Sequence, residues 1–375
     1  MIESGVVRTT EEIAVGWLRE GRRFVQALLV EVEGSAPLPV GAMMVIDVDG
    51  AIEGSLTGGC VEGAVVSEAE ALMAGARGPG VLTYGISDEL AGTVGLMCGG
   101  TVHIFVCELS GERGAAELAV LEAHGDGRTA AVATLLDGAE AGARLAIVDD
   151  AVVGGLGRQQ LLDRNVAREA AGLLQEGKTT IRRFGAEGAT LGDELRVHIR
   201  SYAPPPQMWI FGAIDFSAAM APFATQIGYR VRICDARDRF ARSSRFSSVA
   251  EVQVGWPQEL LRDVPLGPRD AVLVFTHDAK FDEPALMAAL RTDAGYIGAL
   301  GSRQTTADRE RRLRAAGATD ADLARIHAPC GLDIGSRTAE ETAVSVLAEI
   351  IASRADRVAR PLRESSGPIH SRDRE

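Results

Sequence analysis

The stretch Met208-Trp209-Ile210-Phe211-Gly212-Ala213-Ile214-Asp215-Phe216-Ser217 decides the fold. Four apolar residues in a row, then a glycine, then a run with helical spacing read as a buried strand, a tight turn and a helix. The same rhythm continues downstream. Strands are expected at residues 208–211, 230–234, 271–276 and 296–300, with helices at 217–227, 283–290, 304–316 and 339–351. Alternating strands and helices predict a doubly wound parallel sheet, a Rossmann-like domain over residues 208–353. Such sheets bind ligands at the loops leaving the carboxyl ends of their strands.

The turn itself departs from a dinucleotide loop. A G-x-G-x-x-G fingerprint needs a second glycine where the backbone approaches a pyrophosphate, and here Ile214 holds that place and Ser217 the third. Asp215 puts a carboxylate at the helix start, where a phosphate would otherwise be drawn. Asp235 stands at the ribose-binding position, and it reads equally as a turn residue or N-cap. Arg237, Arg239, Arg242 and Arg245 follow it, as a seat for a phosphate or as a solvated basic loop.

Upstream, Tyr202-Ala203-Pro204-Pro205-Pro206 is a stiff linker and the clearest boundary in the chain. The half before it, residues 1–203, reads as an α+β domain. Thr9 and Glu12 form a capping-box pair before a helix at residues 11–20. Strands follow at residues 24–32, 43–48, 101–106, 129–136, 144–148 and 194–201, with helices at 61–74, 115–123 and 161–175. No internal repeat is visible. Residues 354–375 form a polar tail expected to be disordered.

The 375 residues suffice for two cores, and the net charge of −13 argues against nucleic acid and anionic membranes as partners. No stretch reaches the roughly 18 apolar residues of a membrane span. The five cysteines show no framework spacing and no C-x-x-C, so reduced thiols in a cytoplasmic protein are expected, without structural zinc.

Several blocks resemble the XdhC/CoxI family of xanthine dehydrogenase accessory factors. They are Gly34-Ser35-Ala36-Pro37 with Pro39 and Gly41-Ala42, then Gly54-Ser55 through Gly58-Gly59-Cys60-Val61-Glu62-Gly63, then Gly95-Leu96-Met97-Cys98-Gly99-Gly100. In the second half they are Thr276-His277-Asp278 with Lys280, Asp282 and Pro284, and Tyr296-Ile297-Gly298-Ala299-Leu300-Gly301-Ser302-Arg303. The last is His327-Ala328-Pro329 with Gly331-Leu332-Asp333-Ile334-Gly335, leading to Thr338, Glu340-Glu341 and Ala348-Glu349-Ile350. The departures are Ile214 and Asp215, where the family carries Gly and His, and Cys330 at a commonly aliphatic position.

The resemblance implies a protein that binds molybdenum cofactor (molybdopterin), protects it during sulfuration and hands it to an apo-hydroxylase of the xanthine or carbon monoxide dehydrogenase type. It implies a maturation factor more than a catalyst, with the hydroxylase apoenzyme and a sulfur-donating desulfurase as partners. A homodimer is expected from the frequency of two-fold assemblies.

Within that frame Cys60, after Gly58-Gly59 and before a helix, is a thiol at a helix N-terminus, where a dipole and N–H groups favour a thiolate or an anion. A thiolate suits molybdenum or a persulfide. Cys98 offers a second thiol, and both read equally as small buried packing residues. His277 and Asp278 leave a strand at its carboxyl end and suit a phosphate or pterin, or simply brace the loop. Gly301-Ser302-Arg303 opens a helix with backbone N–H groups, a hydroxyl and a guanidinium, an anion cradle. Together with Gly212, Asp235, His327 and Asp333 these are the expected cofactor contacts, in a cleft between the halves. The competing readings are an NAD(P)-dependent oxidoreductase using the second domain, and a docking scaffold that binds no cofactor.

Overall fold

The computed structural model describes residues 8–34, 36–85, 100–149, 151–157, 160–241, 244–246, 251–276 and 278–364. The second half of the expected polar tail, from residue 365 onward, therefore lies outside the described residues. Two compact units meet at Pro204 and Pro205, inside the proline run. The first unit is α+β, and the second is a parallel Rossmann-like sheet wrapped by helices.

The first unit starts with α1 (Thr10–Arg19), fixed by Thr9: its hydroxyl accepts from Glu12 N at 3.2 Å while the Glu12 carboxylate accepts from Thr9 N at 2.9 Å. Five antiparallel strands follow, β1 (Phe24–Glu33), β2 (Met43–Asp47), β3 (Ile52–Gly54), β4 (Gly80–Tyr84) and β5 (Thr101–Leu109), in the order β3-β2-β1-β5-β4. Helix α2 (Glu62–Met73) lies between β3 and β4 in the chain. Strand β1 is buried on both faces. Val25, Ala27 and Leu29 pack with α2, while Phe24, Leu28 and Val30 pack with Trp17 of α1.

Helix α3 (Gly111–Gly125) then leads into β6 (Ala130–Leu135), β7 (Arg144–Val148), β8 (Ala151–Gly155), α4 (Gln160–Glu176), β9 (Thr180–Phe184) and β10 (Leu195–Tyr202). Their sheet order is β8-β7-β6-β10-β9, again antiparallel throughout. Helix, three strands, helix and two strands therefore occur twice with one topology. Details repeat as well. Gly54 and Gly154 take φ of +90° and +80°, each closing its third strand against the first residue of the second, Met43 or Arg144. Helices α1 and α3 end alike, with Gly21 N donating to Leu18 O at 3.1 Å and Gly127 N to His124 O at 2.9 Å. The expectation of no internal repeat is thus corrected: the repeat survives in glycine positions and apolar class, which carry too little residue identity to show in the sequence.

Helix α3 joins the two sheets through a buried charge. The Glu117 carboxylate pairs with Arg144 and Arg200 and accepts from Gln26 Nε2 at 2.8 Å. Burial raises the Glu117 carboxyl, and the two guanidinium groups outweigh that to hold it at about 2.

The second unit contains β11 (Gln207–Phe211), β12 (Arg230–Asp235), β13 (Glu251–Val254), β14 (Ala271–Val274), β15 (Tyr296–Ala299) and β16 (Ile326–His327), all parallel. The order β13-β12-β11-β14-β15-β16 is that of a dinucleotide-binding Rossmann sheet, with the switch point between β11 and β14. Helices α5 (Asp215–Gln226) and α11 (Ala339–Arg354) cover one face around Met220, Ala224, Val346 and Ile350. Helices α8 (Ala279–Ala289) and α9 (Arg303–Ala315) cover the other around Phe281, Leu286 and Leu313. Sequence reasoning left out β13, the two-residue β16, and the short helices α6 (Asp238–Ala241), α7 (Pro257–Leu260) and α10 (Asp320–Ala324). Helix α8 also starts four residues earlier than expected, because Asp278 caps it by accepting from Lys280 N at 3.0 Å. Among the described residues no helix is long and apolar enough to cross a membrane.

Candidate functional site

The carboxyl edge of the parallel sheet gathers the loops after β11, β12, β14 and β15. Gly212, with φ of +116°, is required here: a Cβ would stand 2.7 Å from Thr276 Cγ2 and 3.2 Å from Thr276 N. The loops after β11 and β14 therefore touch at the switch point, the place where such sheets bind ligands.

The nucleotide apparatus at that point is engaged internally. Asp235 is buried, and both of its oxygens have partners. Arg237 donates from Nε to Oδ1 at 2.9 Å and from Nη2 to Oδ2 at 2.7 Å, and Ala213 N donates to Oδ2 at 2.8 Å. Burial raises the Asp235 carboxyl, but the bonds from Arg237 and Ala213 win and hold it below the usual carboxylate range. Its oxygens are thus committed where a ribose diol would need them. Asp215, at the first position of α5, pairs with Arg245, whose other nitrogen donates to Ala213 O at 3.1 Å. Two arginines of the basic run, Arg237 and Arg245, thus neutralise the chain's own acids, and Arg242 lies outside the described residues. The Arg237 guanidinium also lies 4.1 Å from the Phe240 ring centroid; its hydrogen bonds to Asp235 raise its pKa, and the charge of Asp278 adds a smaller push in the same direction.

The loops after β14 and β15 are tied together from below. Thr276 donates to Asp282 on α8, and Asp282 accepts from Arg309 Nη2 at 3.0 Å. The same nitrogen donates to Leu300 O at 2.9 Å, directly before Gly301. Asp282 and Arg309 are almost fully buried. Above them Ser302 caps α9, its hydroxyl accepting from Thr305 N at 3.1 Å, and Arg303 starts the helix in solvent. His277 lies outside the described residues.

His327 does not stand with these loops. Its Nδ1 lies 3.2 Å from Glu349 Oε1, and its ring stacks on Tyr296 with centroids 4.4 Å apart. Glu349 Oε2 also accepts from the Tyr296 hydroxyl at 2.5 Å and from Gly331 N at 2.6 Å. Burial raises the Glu349 carboxyl, and its bonds from His327, Tyr296 and Gly331 bring it down to about 2. His327 thereby braces the Ala328–Gly331 turn against α11, while Asp333 lies exposed on the loop before that helix. Cys330 is buried, its thiol pushed up to about 12 by burial and then by Glu349.

In the first unit, β1, β3 and β4 all end at one edge of their sheet, where β5 begins, as the pairings Glu33↔Thr101, Met44↔Gly54 and Tyr84↔Val102 show. The blocks around residues 34–42 and 54–63 sit at that edge, and the chain leaves and returns there around residues 86–99, which lie outside the described residues and include Cys98. Cys60 is partly buried against the α2 core, next to Gly58 and Gly59, both at positive φ. The backbone N–H groups expected to serve an anion already have one. Glu62 accepts from Leu56 N (3.0 Å), Thr57 N (2.8 Å), Gly59 N (3.0 Å) and Val61 N (3.1 Å), and from the Ser55 and Thr57 hydroxyls at 2.8 and 2.9 Å. Burial raises its carboxyl, and these bonds outweigh burial to hold it at about 2.

Glu62, Arg309 and Glu349 are the residues whose roles sequence reasoning missed. Glu62 and Glu349 fell inside quoted blocks without a role. Arg309 sits in a run of helix-forming charges, Asp308-Arg309-Glu310-Arg311-Arg312, with nothing to single it out. Among the described residues no three His, Cys, Asp or Glu side chains converge as a metal site.

Comparison with known proteins agrees with this architecture. The chain matches the XdhC Rossmann domain over residues 208–350 and the XdhC and CoxI family over residues 17–85. It is 27% identical over 339 residues to a Bacillus subtilis protein named as a probable xanthine dehydrogenase subunit, covering 90% of this chain and 95% of that protein. It is 27% identical over 347 residues to the molybdenum cofactor insertion chaperone PaoD of Escherichia coli, covering 92% and 88%. A crystal structure from Bacillus halodurans described as a xanthine dehydrogenase shares the fold, with a TM-score of 0.64 at 24% identity over 96% of this chain and 98% of that one.

Proposed function

The chain belongs to the XdhC and CoxI family, and from that premise we propose that it is a maturation factor for molybdenum hydroxylases. In this reading it holds molybdenum cofactor and, after sulfuration, passes it to an apoenzyme of the xanthine or carbon monoxide dehydrogenase type. The names of two relatives matched over most of their length support it, one a cofactor insertion chaperone and one a xanthine dehydrogenase subunit. The observation that carries it is the parallel-sheet edge. The ribose acid Asp235 and the helix start at Asp215 are internally paired, which disfavours an NAD(P) oxidoreductase, while the turn after β15 opens α9 beside Ser302 and Arg303 with no acid of its own.

The fit differs between the two candidate loops. A phosphate suits the Gly301-Ser302-Arg303 turn, which joins a helix N-terminus to a surface guanidinium over a buried one. The Ser55–Val61 turn does not suit an anion, since Glu62 fills it. When bound, the cofactor brings a phosphate to be gripped and a metal centre with affinity for soft sulfur. Ser302 and Arg303 would hold the phosphate, and Asp278 would stand beside the pterin, with His277 added only by the family resemblance. Gly212 admits the close approach of Thr276 that holds the loops after β11 and β14 together. Cys60, in the first unit, would be a thiol available to sulfur, and Glu62 sets the backbone that carries it.

Titrating the purified full-length chain with molybdopterin tests the proposal, with saturable binding expected and its absence overturning it. A Cys60→Ala variant that bound equally would remove the thiol's role alone. Titration with NADH and NADPH, followed by the fluorescence of Trp209 and Trp256, should show no saturable change at millimolar nucleotide; saturation there would favour the oxidoreductase.

A further inference from the structure

We propose that the turn between β15 and α9 is a subsite for a tetrahedral oxyanion of the phosphate class, and that its principal positive charge is the buried Arg309 beneath it. This deepens the cofactor reading and rests on its assignment of a phosphate to this turn.

The argument starts from an imbalance. Arg309 is 1% exposed, and its only acceptors among the described residues are reached through Nη2. Nε and Nη1 are buried with no hydrogen-bond partner among the described residues, and so is Thr306 Oγ1 one turn earlier on α9. Each buried unmet donor is destabilising, and the structural guanidinium groups of Arg144 and Arg200 each leave only Nε unmet. Three of the five N–H bonds of Arg309 are unmet, since Nε carries one and Nη1 two.

The direction of Nη1 identifies what the imbalance serves. A Cβ placed on Gly301 would lie 3.5 Å from Arg309 Nη1 and 3.4 Å from Thr305 Cβ. Nη1 therefore sits against the inner side of the turn whose outer side begins α9, a helix of 13 residues. The positive end of the helix and the guanidinium point at the same turn, and glycine leaves no side chain between them. The Ser302 hydroxyl is committed to Thr305, so the turn keeps its shape without a ligand. The hollow lined by Thr306, Arg309, Glu310, Leu313, Leu323, Ile326 and Ala328, to which Glu310 gives a carboxylate, has a volume of about 10 Å³. That is at most one water, too little for a phosphate. An anion is therefore recognised from the Gly301–Ser302 side. Arg303 is exposed and screened by solvent, so it contributes less than the buried charge below.

The arrangement also links two loops. Through Nη2 the guanidinium holds Asp282, and through Asp282 it holds Thr276, so charge drawn toward the β15–α9 turn is felt at the β14–α8 loop.

Inorganic phosphate and pyrophosphate, titrated by calorimetry into the full-length chain, provide the test, with hydrogen exchange of the peptide spanning residues 299–306 as a site-specific readout. Saturable binding with slowed exchange there is expected. Arg309→Lys should weaken it at least 10-fold, and Arg303→Gln only 2- to 3-fold. If Arg309→Lys does not fold, Gly301→Ala keeps the question open to measurement: its methyl, 3.5 Å from Nη1, stands between anion and guanidinium. Because the φ of +154° strains any side chain there, the variant is read only with the anion-free exchange of residues 299–306 unchanged from wild type, where at least a 10-fold loss is expected. No saturable phosphate binding, or an equal loss in Arg303→Gln and Arg309→Lys, would overturn the proposal. So would unaltered affinity in both Arg309→Lys and Gly301→Ala, which would leave Arg309 a structural residue facing a single water. Phosphate binding that depends on Arg309 without molybdopterin binding would refute the cofactor reading alone. Molybdopterin binding indifferent to Arg309→Lys would refute this inference alone.

Discussion

Replacing Glu62 by Gln asks whether one carboxylate organises the loop that carries Cys60. Six donors converge on it, four from backbone N–H groups and two from hydroxyls, three on each oxygen. Glutamine puts an NH₂ where one oxygen accepted three of them, so donors face donors. The carboxyl is held at about 2 against an ordinary 4.5, which at neutral pH corresponds to roughly 3 kcal/mol of differential stabilisation. The group is only partly buried, so solvent screening reduces this to about 1.5–2 kcal/mol. Local opening should therefore be about 10- to 30-fold more frequent in Glu62→Gln, read as faster exchange of the Leu56, Thr57, Gly59 and Val61 amides at pH 7. The folded pKa is depressed, so the contribution is full above about 4.5, where both states are ionised. It declines as pH falls toward 2, where the unfolded state is protonated and the folded state resists. The gap between wild type and Glu62→Gln should close over that window. Exchange within 3-fold of wild type at neutral pH, or a gap that persists undiminished at pH 2.5, would refute the account of Glu62 as the loop's internal anion.

Two further perturbations bear on the scaffold. Gly212→Ala places a Cβ 2.7 Å from Thr276 Cγ2 at a φ of +116°, and should destabilise the second unit by about 1–3 kcal/mol in urea denaturation, with faster exchange along the β14–α8 loop; a change below about 0.5 kcal/mol would show that the two loops are not pressed together. Glu117→Gln leaves Arg144 and Arg200 without their buried counter-charge, so a loss of about 3–5 kcal/mol is expected in the first unit. The neighbouring His198, pushed down to about 3 by burial and then by Arg200 and Arg144, adds a pH dependence. Below about 6.5 the unfolded chain binds a proton there that the folded chain refuses, so stability falls with pH until about 3. A flat profile between pH 6.5 and 4 in the Glu62→Gln background would contradict this.

Much of the fold was legible. Helix caps are local, so Thr9 with Glu12 fixed the start of α1 from four residues of sequence. The alternation of apolar strands and amphipathic helices sufficed for the parallel sheet, because burial on both faces demands continuous apolar runs. What escaped were β3 and β16, with three and two residues, and also β4, β8, β9 and β13, edge or outer strands whose side chains are mostly exposed or half-buried and so carry no continuous apolar run. The duplication in the first unit escaped for a different reason. A topology needs only apolar class at buried positions and glycine at positive φ, and both survive after residue identity has gone.

By itself, then, the sequence determined the domain order, the Rossmann rhythm that begins at Gly212 and the family blocks at the loop ends, all properties of neighbours along the chain. Which charged groups stand ready for a ligand was decided only in three dimensions. Asp235 looked like a ribose acid until Arg237 was seen on both its oxygens, and the turn before α2 looked like an anion seat until Glu62 was seen filling it. Arg309 is one of five consecutive charged residues, Asp308 to Arg312, yet it lies buried against Gly301. Ionisable side chains draw their chemistry from whatever faces them, and what faces them is set by chain closure over tens of residues, which no local pattern records.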